Sequence, residues 1–368
     1  MKILMLSNSG SIHTKRWVKA LSERGCEICL FTLNTSDDAF YANLNRVKVV
    51  NYKYRHISNS LKNIIFQRFE FFEVKKVVRK IIDTFHPDIV HAHYAVDYGS
   101  IGAVMDFHPF ILSVWGSDVY INKSFPLFAK LALRYKLSKA DCIMSTSTVM
   151  AKETAKYTSK EILITPFGVD TGLFRPMTDL CPKDCFVVGN VKTLEPKYGI
   201  DVLIKAYKLV VEHNSTLNTE LRIYGTGPCK KEYEQLAEYL GIAGQVKFMG
   251  WVDNNKLPEV YNSVSVSVSI SDSESFGVVA VEAMACECPV ITSDADGFTE
   301  VVEDNVTGFI VPKRDVEATA AAIQRFIDNP NLRKKMGIAG RERVQRMFEW
   351  NDNVETMLKY YNMLINKR

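Results

Sequence analysis

Short apolar runs of strand length alternate with helical patterns along most of this 368-residue chain. The first thirty residues set the pattern. KILMLS is a strand-length run, residues 12–25 have helical spacing that ends at Gly25, and EICLFT is the next run. Alternating strands and helices predict a parallel sheet that helices cover on both faces. The expected fold class is therefore α/β.

The alternation stops once, between residues 164 and 185, and then begins again. This segment contains three prolines and two glycines, which favours a linker. The second series runs from FVVGNV at 186–191 to a helical pattern at 331–347. A length of 368 residues also fits two domains. Two α/β halves joined by a linker imply a cleft between them, a common place for small-molecule sites.

One run of the second half, SVSVSVSI at 263–270, alternates serine with apolar residues. Strict alternation is typical of a half-exposed strand. Serine is also small enough to let a helix pack closely on that face of the strand. We favour this buried arrangement and keep the half-exposed strand as the alternative.

The composition, 47% hydrophobic and 24% charged, is that of a globular protein with a sizeable core. The apolar start MKILML is too short for a signal peptide, and no run approaches the roughly eighteen residues of a membrane span. We therefore expect a cytoplasmic protein with reduced cysteines. The pairs in CEIC, CPKDC and CEC lack further ligands, and the acidic DAD at 294–296 is interpreted as coincidence. We expect no metal site.

Charge is unevenly divided between the halves. Residues 1–180 contain 24 Lys and Arg against 16 Asp and Glu, whereas residues 181–368 contain 22 against 26. This asymmetry suggests an anionic partner for the first half. Within 61–82, a helix with one apolar and one basic face is predicted to dock on an anionic membrane surface, and the alternative is that it packs on the sheet. Nucleic-acid binding is not expected, because the net charge is only +4 and no known module is present.

The strongest chemical signal is SISDSESFGVVAVEAMACECPVI at 269–291, where two glutamates interrupt small and apolar residues. Helix formers follow Gly277, and a helix N-terminus there can hold a phosphate on its free N–H groups. Glycine lets that backbone approach the ligand. Glu282 is placed to bind a ribose and Glu274 the hydroxyls beyond the phosphate. The alternatives are a favourable helix-start charge for Glu274 and pairing within the protein for Glu282.

This Glu-x7-Glu stretch, followed by EVVEDNVTGFIVP at 300–312, resembles the retaining nucleotide-sugar glycosyltransferases of the large group-four family, which have the GT-B fold. The resemblance extends through SNSGSIHTKRWVKALSERG, PDIVHAHYA and SVWGSDV to NVKTLEPKYGIDVLIKAY, LRIYGTGP and VKFMGWV. It implies two Rossmann-like domains with a cleft between them. Residues 1–170 would form the acceptor-side domain, joined by a C-terminal helix at 349–368 that crosses back onto it, and 171–348 would form the nucleotide-sugar domain.

The resemblance also implies the site residues. The implied catalytic residues are Glu274, Lys192 and Lys197, and the implied donor-binding residues are Gly10, Trp115, Asp118, Val252, Phe276, Gly277 and Glu282. Backbone groups at Gly10, Phe276 and Gly277 would meet the diphosphate or sugar, and the backbone near Val252 the base.

Two of these positions depart from the family's pattern. Lys192 stands where the family has arginine, and it offers charge without a bidentate fork. Trp115 stands where many members have a histidine that contacts the donor sugar. It would stack on a sugar ring or fill core. His91 and His93 lie on one face of a strand end. They either occupy space near the position of the family histidine or have a structural role.

The function implied is a retaining, metal-independent hexosyl- or N-acetylhexosaminyl-type glycosyltransferase without a cofactor. It would move sugar from a UDP- or GDP-type donor to a glycan or lipid-linked acceptor, in surface polysaccharide or glycoconjugate assembly on the inner face of the membrane. A non-catalytic nucleotide-sugar-binding protein and a sugar-nucleotide epimerase remain alternatives. A dinucleotide dehydrogenase is disfavoured, because GTG at 225–227 lacks the third glycine of its fingerprint.

Overall fold

The chain forms two compact units, Met1–Thr165 with Val354–Arg368, and Pro166–Asn353. The computed structural model describes residues 1–33, 38–53, 61–116, 118–120 and 127–367, with side chains for all of these except 38 and 61–69. Each unit is a parallel sheet with interleaved helices, as the alternating sequence pattern predicts.

The first unit contains a seven-stranded parallel sheet. The strand order across the sheet is β3-β2-β1-β4-β5-β6-β7. Strands β2 and β3 lie on one side of β1 and strands β4 to β7 on the other, so the order of strand addition reverses beside β1. Its strands are β1 Lys2–Leu6, β2 Glu27–Leu33, β3 Val47–Tyr52, β4 Ile89–His93, β5 Phe110–Val114, β6 Cys142–Ser145 and β7 Ile162–Ile164. Its helices are α1 Ile12–Glu23, α2 Asp38–Ala42, α3 Leu61–Phe85, α4 Tyr98–Met105, α5 Leu127–Lys139 and α6 Thr148–Thr154. In such a sheet, ligands bind outside the carboxyl ends of the strands, where the order reverses.

The second unit repeats this plan with six parallel strands in the order β10-β9-β8-β11-β12-β13. Its strands are β8 Phe186–Val191, β9 Thr219–Tyr224, β10 Val246–Gly250, β11 Val266–Ser269, β12 Val290–Ser293 and β13 Gly308–Val311. Its helices are α7 Ile200–His213, α8 Lys230–Tyr239, α9 Leu257–Asn262, α10 Val278–Ala285, α11 Asp296–Val301, α12 Val316–Asp328 and α13 Pro330–Met347. The order again reverses, between β8 and β11.

Strand β11 is buried on both faces. Val266 and Val268 are inaccessible to solvent, and Ser267 and Ser269 on the other face are almost as deeply buried. Helix α10 packs against this strand. The buried arrangement that we favoured for the serine-valine run is confirmed, because the small side chains leave room for a helix.

Helix α3 uses its apolar face to pack on the sheet of the first unit. Val74, Val78, Ile81 and Ile82 are all buried in one core cluster with strand residues. The apolar face of residues 73–82 therefore packs on the sheet, which is the alternative to membrane docking given above. The basic face of this segment is exposed to solvent. The side chains of 61–69, the apolar segment upstream, lie outside the described residues. Within the described part of the chain, no helix is both long and apolar enough to span a membrane.

The last helix, α14 Trp350–Ile365, joins the first unit from Val354 onward, as the resemblance implies for the C-terminal helix. Tyr361 is fully buried, and its hydroxyl lies 2.6 Å from Nδ1 of His91 on β4. The other ring nitrogen of His91 lies 2.7 Å from Oγ of Ser113 on β5. At the surface, Nε of Arg24 donates to Glu355 over 2.6 Å. A buried hydrogen-bonded chain therefore fixes α14 to the centre of this sheet.

We expect Tyr361→Phe to lower the free energy of unfolding of the first unit by about 1–3 kcal/mol, because it leaves buried Nδ1 of His91 without this partner. Denaturant unfolding measures the effect. The matched control is Tyr360→Phe at the half-buried neighbouring position, where the change should stay within about 0.5 kcal/mol. Equal losses in the two variants would contradict a specific role for the buried hydroxyl.

Candidate functional site

Helix α10 begins directly after Gly277, where the sequence predicts a helix N-terminus. Gly277 has a φ of 94°, in the left-handed region that favours glycine. A Cβ built there would lie 2.7 Å from the Phe298 ring. Both conformation and packing therefore require glycine, and its missing side chain leaves the first N–H groups of α10 without a capping oxygen from this residue.

Glu274, three residues before Gly277, forms an ion pair with Lys192 at the end of β8. Nζ of Lys192 lies 2.6 Å from Oε2 of Glu274, and the two side chains are only 12% and 15% exposed. The same ammonium group lies 4.7 Å from the centre of the Tyr198 ring. The structure thus joins two of the residues implied by the resemblance, with their charges balanced in a largely desolvated place.

Glu282 lies inside α10, and only 5% of it is exposed. Its Oε2 accepts a hydrogen bond from the Tyr261 hydroxyl over 3.0 Å. Burial, with the nearby Glu282 carboxylate, raises the pKa of Tyr261 well above its usual value. Glu282 therefore has a partner within the protein, which supports the pairing alternative. A neutral hydroxyl orients the carboxylate without neutralising its charge. The carboxylate oxygens can therefore still accept hydrogen bonds from the hydroxyls of a ribose.

Lys197 lies in a short 3-10 turn, Pro196–Tyr198. Its Nζ is 3.0 Å from Glu195, and that hydrogen bond raises the pKa of Lys197. The turn ends at Gly199, which has a φ of 67° and where a Cβ would lie 2.2 Å from the Ile270 carbonyl oxygen. Close packing on the end of β11 therefore fixes the position of this turn, while the lysine side chain remains half exposed.

Arg314, after β13, links two loops that carry predicted site residues, an interaction that the sequence analysis missed. Its Nε donates to Asp272 over 2.6 Å, Nη1 to Asp201 over 2.9 Å and Nη2 to the carbonyl of Pro196 over 2.9 Å. The backbone N–H of Asp272 in turn donates to the Lys197 carbonyl over 2.8 Å. One guanidinium thus joins the Lys197 turn to the segment that leads into α10.

The remaining predicted residues of the second unit flank this helix start or follow β10. Phe276 is buried against the rings of Phe167 and Phe348, so a ligand can meet its backbone but not its side chain. The N–H of Gly297 donates to the Glu274 carbonyl over 2.9 Å and fixes the preceding loop. Val252, half buried, lies two residues beyond β10.

In the first unit, Gly10 follows the carboxyl end of β1, and Trp115 and Asp118 follow that of β5, with β4 between the two strands. Gly10 is exposed, in the loop between β1 and α1, where its N–H donates to Asn8. Asp118 is buried and accepts hydrogen bonds from the N–H groups of Ala95, Trp115 and Gly116. Burial nevertheless raises the pKa of Asp118. This carboxyl group therefore ties the loops after β4 and β5 together.

Trp115 packs on the buried His93 and the partly buried His13 at this same edge. Its ring centre lies 4.3 Å from that of His93 and 6.0 Å from that of His13. His93 also lies 3.1 Å from the Ser7 hydroxyl, whereas His91 contacts Ser113 and Tyr361. Both histidines thus have structural partners. Among the residues that the structure describes, no group of three or more His, Cys, Asp and Glu side chains is arranged to hold a metal ion.

Comparison with known proteins places both halves of the chain among sugar-transferring enzymes. Residues 180–343 match the family model "Glycosyl transferases group 1", and residues 2–147 match "Glycosyl transferase 4-like". The chain belongs to the group 1 glycosyltransferases. This glycosyltransferase is 26% identical to an uncharacterized glycosyltransferase of Methanocaldococcus jannaschii, over 99% of each chain.

Solved structures of the same fold cover the whole glycosyltransferase. The sucrose-phosphate synthase of Thermosynechococcus elongatus has a TM-score of 0.83 at 23% identity, with all of both chains covered. Anabaena HepE, solved in complex with UDP-glucose, has a TM-score of 0.78 at 20% identity, covering 99% of this chain and all of HepE. The GT-B fold expected from the resemblance is confirmed.

We expect the first unit of the glycosyltransferase to lose stability as the pH falls from about 6.5 toward 3. Burial lowers the pKa of His91 to about 3 and that of His93 well below its usual value. Unfolded histidines titrate near pH 6.5, so below that pH the unfolded chain binds protons that the folded unit does not. The free energy of unfolding therefore decreases on acidification.

Protonation of carboxylates also changes the free energy of unfolding at low pH. The test therefore compares, between variants, how steeply the free energy of unfolding decreases with pH. In denaturant unfolding from pH 7 to pH 4.5, His91→Gln should show a shallower decrease than the unchanged chain. The control His86→Asn, at an exposed histidine of the same unit, should keep the original slope. Identical slopes for His91→Gln and the unchanged chain would refute this assignment.

Proposed function

We propose that this glycosyltransferase moves a sugar from a UDP- or GDP-type nucleotide sugar to a glycan or lipid-linked acceptor, with retention of anomeric configuration. The observation that carries the proposal is the start of α10. An uncapped helix N-terminus at Gly277, the ion-paired Glu274 and the buried Glu282 occupy one short segment. The complex of HepE, a protein of the same fold, with UDP-glucose supports a nucleotide-sugar donor.

The proposed donor contacts follow from charge and position. The N–H groups at the start of α10 bind the diphosphate, whose negative charge suits a helix N-terminus. Glu282 accepts hydrogen bonds from the ribose, and the backbone near Val252 meets the base. Glu274 binds sugar hydroxyls, for which its oxygens are oriented by the ion pair with Lys192.

In the proposed transfer, the bond between the anomeric carbon and the diphosphate oxygen breaks while the acceptor oxygen bonds to the same face of the sugar. The acceptor proton passes to the departing diphosphate. Lys192, Lys197 and the α10 N-terminus stabilise the charge that develops on that leaving group. Positive charge from the protein is thus the proposed substitute for a divalent ion, and activity should persist with a chelator present.

The first unit contributes the edge formed by the carboxyl ends of β1, β4 and β5. We assign the exposed Gly10 backbone to the diphosphate and Trp115 to an apolar contact with a sugar ring. Asp118 acts through the loops that it holds in place. Hexose or N-acetylhexosamine transfer in polysaccharide or glycoconjugate assembly, at the cytoplasmic face of the membrane, is the proposed setting.

A panel of UDP- and GDP-linked sugars with product analysis tests the reaction class. Transfer to an acceptor or slow donor hydrolysis, with chelator present, is the expected result. Binding of donor without turnover would favour a nucleotide-sugar-binding protein, and an isomerised donor would favour an epimerase. Loss of activity with chelator would refute the metal-independent mechanism.

We expect Lys197→Ala to lower kcat about 10²–10³-fold with a smaller change in donor KM, because the lost cation acts mainly on charge that develops during the reaction. Steady-state kinetics measures both constants. Lys208→Ala is the matched control, since Lys208 lies on α7 in an ion pair with Glu212 and should leave both constants unchanged. A kcat for Lys197→Ala close to that of the control would remove Lys197 from the mechanism.

We expect Glu282→Gln to weaken binding of the donor nucleotide by about 1.5–3 kcal/mol, because the variant loses charge-assisted hydrogen bonds to the ribose. Calorimetric titration with UDP and GDP measures the loss. Tyr261→Phe distinguishes ribose binding by Glu282 from a purely structural pairing of Glu282 with Tyr261. This variant removes the protein partner of Glu282 and keeps its carboxylate. If both variants lose stability while nucleotide affinity stays intact, Glu282 is only a structural residue.

A further inference from the structure

Helix α5 of the first unit carries apolar side chains on two opposite faces. Leu133 and Leu137 are buried in the core of the sheet. The other face presents four large side chains to solvent, and at 3.6 residues per turn they fall within an arc of about 100°. We call these four the α5 stripe: Leu127 (72% exposed), Phe128 (72%), Leu131 (53%) and Tyr135 (49%).

Basic residues flank the α5 stripe on both sides. By helical position, Lys130 and Arg134 lie along one edge and Lys136 and Lys139 along the other. Residues 127–139 contain no Asp or Glu. Lys139 forms an ion pair with Asp106, whereas Lys130 and Arg134 have no acidic partner among the residues that the structure describes. Lys136 lies within electrostatic reach of Asp97 and Asp118. The stripe is therefore an apolar surface with one uncompensated positive edge, formed by Lys130 and Arg134.

Helix α3, in the same helical layer, adds further basic side chains. Helix α4 contacts both α3 and α5, so the three helices form one layer over the sheet. The exposed face of α3 adds Lys76, Arg79 and Lys80, of which Lys76 is ion-paired with Glu73. This layer belongs to the half of the chain with the excess of Lys and Arg. A partner for the layer must therefore combine negative charge with an apolar phase.

We propose that the α5 stripe and its basic border dock on an anionic lipid bilayer. Leu127, Phe128 and Leu131 enter the boundary between headgroups and acyl chains, and Lys130 and Arg134 meet lipid phosphates. Tyr135 fits the same interface, where an aromatic ring with a polar end is favoured. The surface differs from the apolar face of α3, which lies in the core, and it rests on none of the donor contacts proposed above.

A second copy of this chain is a poorer occupant of the same surface. A two-fold symmetric contact would bring the stripe against itself, and its basic border against another basic border. Like charges placed together at an interface oppose association. A bilayer with anionic lipids instead offers the opposite charge over the same area as its apolar phase.

Co-sedimentation with vesicles tests the proposal. The chain should bind vesicles of phosphatidylcholine mixed with phosphatidylglycerol, bind vesicles of phosphatidylcholine alone weakly, and dissociate as salt increases. The combined variant Leu127→Gln, Phe128→Ser and Leu131→Gln should reduce binding about tenfold or more. The control Tyr239→Ser removes an 87% exposed aromatic side chain from α8 in the other unit and should leave vesicle binding unchanged.

A second variant, Lys130→Gln with Arg134→Gln, keeps the stripe and should reduce the preference for anionic vesicles about fivefold or more. Both variants should fold, because all the changed side chains are at least partly solvent-exposed. Thermal unfolding checks this. The proposal is overturned if the unchanged chain does not bind anionic vesicles. It is also overturned if both variants bind these vesicles as tightly as the unchanged chain does. It is also overturned if the chain self-associates without lipid and the stripe variant restores the monomer, since the face would then be a contact between copies.

Discussion

Both sheets are parallel throughout, and this constraint determines where chemistry can lie in each unit. Every strand must be followed by a crossover before the next parallel strand, so all carboxyl ends meet at one edge. Gly10 and Trp115 follow β1 and β5 in the first unit, and Lys192 and Glu274 follow β8 and β11 in the second. Within each unit, residues far apart in the sequence therefore reach the same edge of their own sheet.

In each unit, the charged groups near this edge have protein partners of their own. Glu274 pairs with Lys192, Glu282 accepts from Tyr261, and Asp118 accepts three backbone N–H groups. A buried carboxylate without such partners would be costly. The same contacts hold each oxygen in a fixed direction, which reduces the entropy lost when a polyhydroxyl ligand binds.

Much of this arrangement could be predicted from the sequence, because its signals are local. The strand and helix alternation, the break near 164–185 and the helix start at Gly277 all depend on residues close together in the chain. Strands β3, β7 and β13 were missed. The residues of β3 and β7 are only partly buried and give no clear apolar run, and β13 has only four residues.

The remaining features depend on distant partners or on opposed faces. The contacts of Arg314 with Asp201 and Asp272 span 113 and 42 residues, so no spacing pattern indicates them. Helix α5 is apolar on two opposite faces, which removes the one-sided pattern that identifies an amphipathic helix. The choice between core and membrane for α3 needed the burial of Val74 and Val78, which periodicity does not provide.

The attachment of α14 to His91 has a consequence for the order in which the chain acquires its structure. The first unit is discontinuous: its sheet comes from residues up to Thr165, but its final helix comes after all of the second unit. During synthesis, which proceeds from the amino terminus, Tyr361 is made after all of the second unit. His91 must therefore lack this partner until the entire continuous unit has been made. The unit that begins the chain is the one completed at its end.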